Sequence, residues 1–395
     1  MMCIRCRWTP ENVEGSFLEN DILLSRQEMT QFSTPISDHR NEIIDVPGAT
    51  DDQIRELLAF HNKAWGASRT PAHWRWEYQD FLPEKAVVAV ARKDGRIIGT
   101  QCAMPVPMKV EGRVVLSGKS ENTLLLPEFR GLGIMEDLYE FMVEECKVRG
   151  LRFLWGFTDA ERAFRRFGFF VHPVVEIWSR PGFDLATGLV SRWREPRAIS
   201  RRVLSMGKAG VDFFRTLPRF LSNDSGLGAE SIPVSQLVAG ESGERGGILH
   251  RGPASVVGQE LSDGFLEWRV SRHPFLQYTA RKIHDAHGEA GFSLVSLHQK
   301  KAALSYWEGT DEGNLKGLLV NFVQMSQFKN AQLTVLTNSG RDDHPMRRDL
   351  LLRQGFRPTH CTNLVIRDLS EILTGTLLEP TGWLLNGLWT EGYAL

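Results

Sequence analysis

The hydrophobic and polar positions of the chain predict strands and helices from residue 42 onward. Strand-length apolar runs are separated by turn residues, whereas the helical segments repeat apolar residues every three or four positions. Strands are predicted at 42–46, 86–91, 97–108, 114–126, 151–157 and 170–178, and Pro105 and Pro107 are expected to interrupt the third. Helical patterns cover 54–65, 74–78, 138–147 and 160–167. This order predicts a mixed α/β fold.

The connection between the fourth strand and the third helix carries the clearest chemical signal. Residues 124–135 read Leu-Leu-Leu-Pro-Glu-Phe-Arg-Gly-Leu-Gly-Ile-Met, so Pro127 ends the strand and Gly131 and Gly133 lie in a tight turn. A helix start leaves backbone N–H groups unpaired, with the positive end of the helix dipole behind them. Glycine at the turn also permits a positive φ. The stretch therefore predicts an anion site, most simply for a phosphate or pyrophosphate.

This motif resembles the acetyl-CoA pyrophosphate loop of the GCN5-related N-acetyltransferases, the GNAT superfamily. It matches neither the Walker phosphate loop nor the dinucleotide-binding fingerprint. The next elements extend the resemblance, because a strand, a short helix, Gly168-Phe169 and a further strand follow in the family's order. The resemblance implies a GNAT domain over residues 41–180, with a largely antiparallel sheet flanked by helices. It also implies acetyl-CoA as co-substrate and no metal.

The resemblance implies roles for individual residues as well. The strand backbone before Pro127 would pair with the pantetheine arm, the N–H groups of the turn would hold the pyrophosphate, and Arg130 would shape the turn. The implied cofactor-binding residues are Leu124, Leu125, Leu126, Arg130, Gly131, Leu132, Gly133, Ile134 and Met135. A backbone N–H near Leu125 is the expected oxyanion donor. Glu121 is the expected general base, and Asp159 is the second candidate.

Two positions depart from the family pattern. Many members carry a tyrosine general acid four residues before the Gly-Phe pair, but this chain has Phe164 there, which has no proton to give. Met135 is bulkier than the small residue usual at its position. The departing thiolate would therefore take a proton from another group or from water, or would leave unprotonated.

The last third of the chain repeats features of the first. Trp76 precedes Gly168-Phe169 by 92 positions, and Trp268 precedes Gly355-Phe356 by 87. Strands predicted at 277–283, 291–297, 301–307, 332–337 and 362–366, with helices at 314–328 and 345–354, complete a second GNAT-like half over 236–395. This half has no anion loop. The segment 310–314 carries Asp311 and Glu312 where the glycine turn would lie, and two carboxylates disfavour a pyrophosphate.

Residues 181–235 fit neither half and are predicted to form a basic helical linker. Between residues 191 and 221, seven Arg and one Lys stand against Glu195 and Asp212, a net charge of +6. The apolar stripe of this segment would pack across a domain boundary, or the helix would make a peripheral membrane contact with anionic lipid. Residues 1–40 are predicted to be a flexible N-terminal extension.

Composition limits the classes of function. The 395 residues carry a net charge of −1 and are 42% hydrophobic, which is typical of a soluble protein of two or three domains. Near-neutral charge argues against a nucleic-acid partner. No apolar run predicts a membrane span and no signal peptide is apparent, so a cytoplasmic location is expected. Cys102, Cys146 and Cys361 are expected to be reduced core residues, and the isolated Cys3-x-x-Cys6 pair is not expected to bind metal.

Together these features predict an acyl-CoA-dependent N-acetyltransferase with a catalytic first half and a CoA-less second half. The acceptor is expected to be a small-molecule amine such as an amino sugar, attacking directly in a ternary complex. One alternative is a tandem aminoacyl transferase that builds cell-wall peptides from charged tRNA. Another is a catalytically silent acyl-CoA-binding or scaffold protein. The Arg-Gly-Leu-Gly loop favours CoA over tRNA, and Phe164 keeps the silent alternative open.

Overall fold

The computed structural model describes residues 38–66, 68–181, 229–232, 257–285, 288–325, 331–370 and 374–389. The basic segment 191–221 and the Cys3-x-x-Cys6 pair lie outside these residues, as do almost all of the N-terminal extension and the linker. Among the described residues, no helix is long and apolar enough to cross a membrane.

The elements follow the predicted order in both halves. The strands are β1 (Arg40–Ile44), β2 (Val87–Lys93), β3 (Arg96–Val110), β4 (Arg113–Leu125), β5 (Phe153–Thr158), β6 (Phe170–Pro181), β7 (Ala229–Ile232), β8 (Gly258–Gln259), β9 (Gln277–Asp285), β10 (Gly288–His298), β11 (Lys301–Gly309), β12 (Gln332–Asn338) and β13 (Arg357–Asp368). The helices are α1 (Asp51–Trp65), α2 (Pro71–Tyr78), α3 (Ile134–Val148), α4 (Glu161–Arg166), α5 (Asp263–Leu266), α6 (Glu312–Gln324), α7 (His344–Arg353) and α8 (Thr374–Leu378).

All thirteen described strands join one mixed sheet. Its order is β1-β2-β3-β4-β5-β13-β6-β12-β11-β10-β9-β7, with β8 attached to the side of β3. Only the β4–β5 and β11–β12 neighbours are parallel, and each pair is connected through a helix, α3 or α6. The predicted mixed, largely antiparallel sheet in two tandem halves is confirmed.

The two halves exchange strands at the centre of this sheet. β13, from the second half, lies between β5 and β6 of the first half, and β6 in turn pairs with β12. The order on each side of the β13–β6 pair therefore mirrors the other, with β5, β4, β3 on one side and β12, β11, β10 on the other. Neither half completes its sheet without a strand from its partner half.

Two sequence expectations about the strands were wrong. Pro105 and Pro107 do not interrupt β3. The pairing of β2 with β3 ends at Ala103, before the two prolines. Because β2 does not extend alongside the prolines, their missing N–H groups remove no hydrogen bond to β2. Cys361 is exposed, unlike the buried Cys102 and Cys146. It lies in the part of β13 that pairs with β6 alone, since β5 pairs with β13 only from Asn363 onward.

The helices cover the sheet on both faces. α3 packs through Leu138, Met142 and Cys146 against the faces of β2 and β3, together with residues from α4. The helices α1 and α2 cover β2 on the opposite face. Both begin at threonines whose hydroxyls accept a helix N–H, Thr50 from Gln53 and Thr70 from His73, which explains why these helices start where they do.

Candidate functional site

A wedge-shaped opening separates the ends of β4 and β5. The two strands pair only at Gly118 with Leu154 and at Lys119 with Trp155, and beyond that point they diverge. β4 stays paired with β3 as far as Leu125, so the divergence leaves one edge of β4 without a strand neighbour. Residues 121–126 along this stretch are all partly exposed. An unpaired strand edge of this kind can be extended by a ligand that pairs with it as an added strand does.

The glycine turn lies at the end of this opening. Gly131 and Gly133 have φ values of 79° and 80°, and nothing lies within 4 Å of the position that a Cβ would take at either residue. Their need for glycine is therefore conformational, and the space in front of the turn is open. Gly133 is the N-cap residue of α3 and supplies no side-chain cap.

The N-terminus of α3 is correspondingly rich in hydrogen-bond donors. The first helical bond runs from the N–H of Asp137 to the carbonyl of Gly133, at 3.0 Å. Within the described part of the chain, the backbone N–H groups of residues 131–136 donate to no protein acceptor. Free N–H groups at the positive end of a helix dipole are suited to an anion, and their role in holding a pyrophosphate stays a prediction.

Arg130 connects the turn to the strand. Its Nε donates to the carbonyl of Leu125 at 3.2 Å, which fits the predicted shaping role. The N–H of Leu126 donates to the carbonyl of Ile98 on β3, so the alternation along the strand turns the N–H of Leu125 toward the opening. That N–H is available to an added ligand strand.

Glu121 lies at the inner end of the opening. Its carboxylate forms an ion pair with Lys119, two residues earlier on β4, and the side chain of Lys119 is buried. Its own side chain is 20% exposed, so Glu121 is less buried than its lysine partner. The sequence did not predict the lysine partner. The assignment of Glu121 as general base stays a prediction.

Asp159 occupies a more open position. It follows β5 directly and lies 3.3 Å from Nε2 of His360, which belongs to β13 of the second half. Both side chains are at least half-exposed. The second half therefore supplies a group beside the second candidate base, a contact that the order of residues along the chain does not reveal.

A buried tyrosine near Phe164 was missed by the sequence interpretation. Tyr139 of α3 packs edge-on against Phe164, with ring centroids 5.8 Å apart, and its hydroxyl lies 2.9 Å from Ser120 Oγ and 3.0 Å from Thr123 Oγ1. Burial raises the pKa of Tyr139 well above its ordinary value, so the phenol stays protonated. A tyrosine on the otherwise apolar face of α3 was the available signal.

The corresponding place in the second half is built differently. Asp311 caps α6 by accepting the N–H of Asn314 at 2.8 Å, so a carboxylate already occupies the helix start. β11 and β12 pair only as far as Leu304 with Val335, and beyond this point Arg347 of α7 donates to the carbonyl of Trp307 and to Glu308, both on β11. A small cleft remains between these strands, bordered by Leu384–Asn386. The predicted loss of the anion loop is thereby explained.

Among the described residues, no three His, Cys, Asp or Glu side chains are grouped so that they could hold a metal ion.

The comparisons with known proteins agree with this geometry. Residues 45–171 match the family profile described as the acetyltransferase (GNAT) domain. No curated protein sequence matches the chain.

Three solved structures illustrate the similarity in fold. A GCN5-related N-acetyltransferase from Anabaena variabilis has a TM-score of 0.55 at 10% identity, over 85% of this chain and 74% of that one. A tandem GNAT protein from the clavulanic acid biosynthesis pathway has a TM-score of 0.51 at 15% identity, over 84% and 99%. N-myristoyltransferase from Saccharomyces cerevisiae, with bound myristoyl-CoA, has a TM-score of 0.51 at 11% identity, over 91% and 88%. The chain therefore contains an acetyltransferase (GNAT) domain in residues 45–171, within a tandem GNAT fold.

Proposed function

We propose that the first half is an acyl-CoA-dependent N-acyltransferase that uses acetyl-CoA. The observation that carries the proposal is the uncapped start of α3 behind Gly131 and Gly133, at the end of the opening beside β4. The four described helices of the chain that have a side-chain cap, α1, α2, α5 and α6, use Thr50, Thr70, Ser262 and Asp311. The helix at the opening instead keeps its donors available for an anion.

The residues around the opening divide the work of binding. The N–H groups of Gly131 to Met135 would hold the pyrophosphate, and the edge of β4 from Leu124 to Leu126 would pair with the pantetheine arm. Bound acetyl-CoA supplies an activated acyl group as a thioester. We do not assign the cofactor to the second half, because Asp311 caps α6 where the glycine turn would lie.

Acyl transfer to an amine requires that the attacking nitrogen be deprotonated. We propose Glu121 as the general base that accepts this proton. To do so, its carboxylate would have to break its ion pair with Lys119. Asp159, beside His360, is the second candidate for the base. The thiolate would take its proton from water. Phe164 has none, and the hydroxyl of Tyr139 is buried between Ser120 and Thr123.

We propose a small-molecule amine, such as an amino sugar, as the acceptor. The net charge of −1 gives no basic footprint for tRNA, which disfavours an aminoacyl transferase. The glycine turn of the first half also favours CoA over charged tRNA as the donor. The alternative that this protein binds acyl-CoA without catalysing transfer must be distinguished from the enzyme by experiment.

Calorimetric titration with CoA and acetyl-CoA tests the cofactor site. Gly133→Asp would place a carboxylate against the pyrophosphate and strain a residue at φ 80°, so binding should be lost. Gly112→Asp is the matched control, because Gly112 has a φ of 77°, equally open surroundings and a position in the β3–β4 turn. If the wild type binds neither ligand, or if Gly133→Asp binds as well as Gly112→Asp, the proposal fails.

Thiol release across an amine library, with acetyl-CoA, butyryl-CoA and myristoyl-CoA as donors, tests the reaction and the acyl length. We expect turnover with acetyl-CoA and an amino sugar or related amine. Binding without release for any amine would favour the silent acyl-CoA-binding alternative, and preference for a long-chain donor would overturn the acetyl assignment.

A further inference from the structure

Lys119 is a buried cation at the innermost point of the opening. It is the last residue of β4 that pairs with β5, where it lies opposite Trp155, and its partner on β3 is Met104. Both of these neighbours are buried, and the side chain of Lys119 is itself only 5% exposed. An ammonium group taken out of water is costly unless an opposite charge accompanies it.

The carboxylate of Glu121 supplies this opposite charge. Its Oε1 forms the ion pair with Nζ of Lys119. Residues two apart on a strand point to the same face of the sheet, and Ser120 between them contacts the hydroxyl of Tyr139 of α3 on the other face. The ion pair therefore lies on the face of the sheet away from α3, and it is separate from the glycine turn at the start of that helix.

Resting on the function proposed above, we infer that Lys119 is a positioning residue for the base Glu121. Its buried ammonium fixes the carboxylate beside the opening and keeps it in the ionised form, which is the form that can take a proton from the acceptor. An opposite charge close to a carboxyl group favours that ionised form. Lys119 therefore extends acyl transfer to a lower pH than the carboxyl group alone would allow.

Lys119 acts only through its charge in this inference. When Glu121 accepts the proton, an N–H bond of the acceptor ammonium breaks and an O–H bond forms on the carboxyl group. The carboxyl group is then neutral, so the ion pair is lost until Glu121 releases the proton to solvent. Lys119 neither gains nor loses a proton at any point.

The other titratable and charged groups at this end of β4 come from β3 and from the helices. Cys102 of β3 pairs in register with Glu121, and burial raises the pKa of its thiol to about 12. Burial also raises the pKa of Tyr78 in α2 well above its ordinary value, so both groups stay neutral near neutral pH. Glu77 of α2 forms a 3.0 Å ion pair with Arg69, which leaves no net charge on these two residues.

His61 of α1 belongs to the same surroundings. Its Nε2 lies 2.8 Å from Oδ1 of Asn122, the residue after Glu121, and Arg69 donates to the same oxygen at 3.3 Å. A histidine changes its charge close to physiological pH, so its titration must be separated from that of the carboxyl group. Glu121→Gln makes the separation, because a limb of a pH profile that survives in this variant belongs to another group.

The dependence of kcat on pH tests the inference, with saturating acetyl-CoA and the amine of the library that supports the fastest thiol release. Lys119→Met keeps an apolar stem but removes the charge. The acidic limb that Glu121→Gln abolishes should therefore move to higher pH by about one to three units in Lys119→Met. Lys119→Arg keeps the charge and should leave the limb at its wild-type position. CoA affinity should stay unchanged in both variants, because the ion pair lies away from the glycine turn.

Lys109→Met is the matched control. Lys109 is also a strand lysine in an ion pair, with Glu260 at 3.6 Å, but it lies beside the turn that joins β3 to β4. Its pH profile should match that of the wild type. If Lys119→Met does not fold, Lys119→Gln carries the same prediction, because the shorter amide is polar but has no charge.

Two results would overturn the inference and leave the proposed function intact. One is an unmoved acidic limb in a folded Lys119→Met or Lys119→Gln. The other is an equal shift in Lys119→Arg, which would show that the packing of the lysine matters and its charge does not. If the wild type binds no CoA, or releases no thiol with any amine, the proposed function itself fails, so the two kinds of failure are distinct.

Discussion

Trp76 and Trp268 exchange hydrogen bonds across the two halves. The indole N–H of Trp76 donates to the carbonyl of Trp268 at 3.1 Å, and the indole N–H of Trp268 donates to the carbonyl of Trp76 at 2.6 Å. Their rings stack with centroids 5.4 Å apart, and both are buried. The guanidinium of Arg269 lies over both rings. Equivalent residues of the two repeats therefore form one reciprocal contact at the centre of the molecule.

Replacing one of these tryptophans should destabilise the whole chain. Trp268→Phe leaves the buried carbonyl of Trp76 without its donor, which should lower the free energy of unfolding by about 1–3 kcal/mol. Urea unfolding measures the loss, and Trp65→Phe, at a side chain that is 61% exposed, is the control. Because the two bonds share one stack, Trp76→Phe should couple to Trp268→Phe in a double-mutant cycle. If the losses of unfolding free energy in the two single variants simply add in the double variant, the two hydrogen bonds are energetically independent.

Glu121→Gln should slow acyl transfer without weakening CoA binding. A general base contributes about 10²–10⁴-fold to a rate, so kcat should fall within that range and the acidic limb of its pH profile should disappear. The nearby exposed Glu128→Gln is the matched control. Near-normal turnover by Glu121→Gln would remove this residue from the mechanism, and a large loss in Asp159→Asn would transfer the role to the pair with His360.

Asp311→Ala should affect stability and leave the cofactor untouched. Loss of a carboxylate N-cap costs about 0.5–2 kcal/mol, and Asp311 also accepts a 2.9 Å hydrogen bond from the side-chain amide of Asn314. Thermal unfolding should therefore occur at a lower temperature, while calorimetric CoA affinity stays at the wild-type value. Glu312→Ala, at the exposed next residue, is the control. A change in CoA affinity would contradict the assignment of the cofactor to the first half.

Asp343 should make stability sensitive to acid. Burial alone would raise the pKa of its carboxyl, but the hydrogen bonds and charges of Arg341 and Arg347 outweigh burial and hold the pKa well below its usual value. Its folded pKa is therefore lower than the unfolded value of about 4. The stabilisation is present above that pH and is lost as the pH falls through and below it.

Asp343→Asn isolates this contribution. At neutral pH the variant should be less stable than the wild type by about 2 kcal/mol, since it loses hydrogen bonds to two charged groups. The difference should shrink as the pH is lowered below about 4. Urea unfolding at a series of pH values measures it, with Asp342→Asn as the exposed neighbour. A difference that is independent of pH would contradict the assigned pKa shift.

The sequence by itself determined the parts of this protein that depend on nearby residues. Hydrophobic periodicity located the strands and helices. The glycine turn of residues 131–133 predicted an anion site, because backbone φ and helix capping depend on only a few neighbouring residues. The Trp76 and Trp268 repeat revealed the second half. Asp311 and Glu312 predicted that this half lacks the anion loop.

Only the tertiary structure decided which distant groups meet. The insertion of β13 between β5 and β6, the pairing of His360 with Asp159, and the bridge from Asn122 to Arg69 all join residues far apart in sequence. Periodicity specifies which face of an element is buried but leaves its neighbour in the sheet undetermined. The neighbour is fixed by topology and packing, so the distant residues that meet become visible only when the chain is folded.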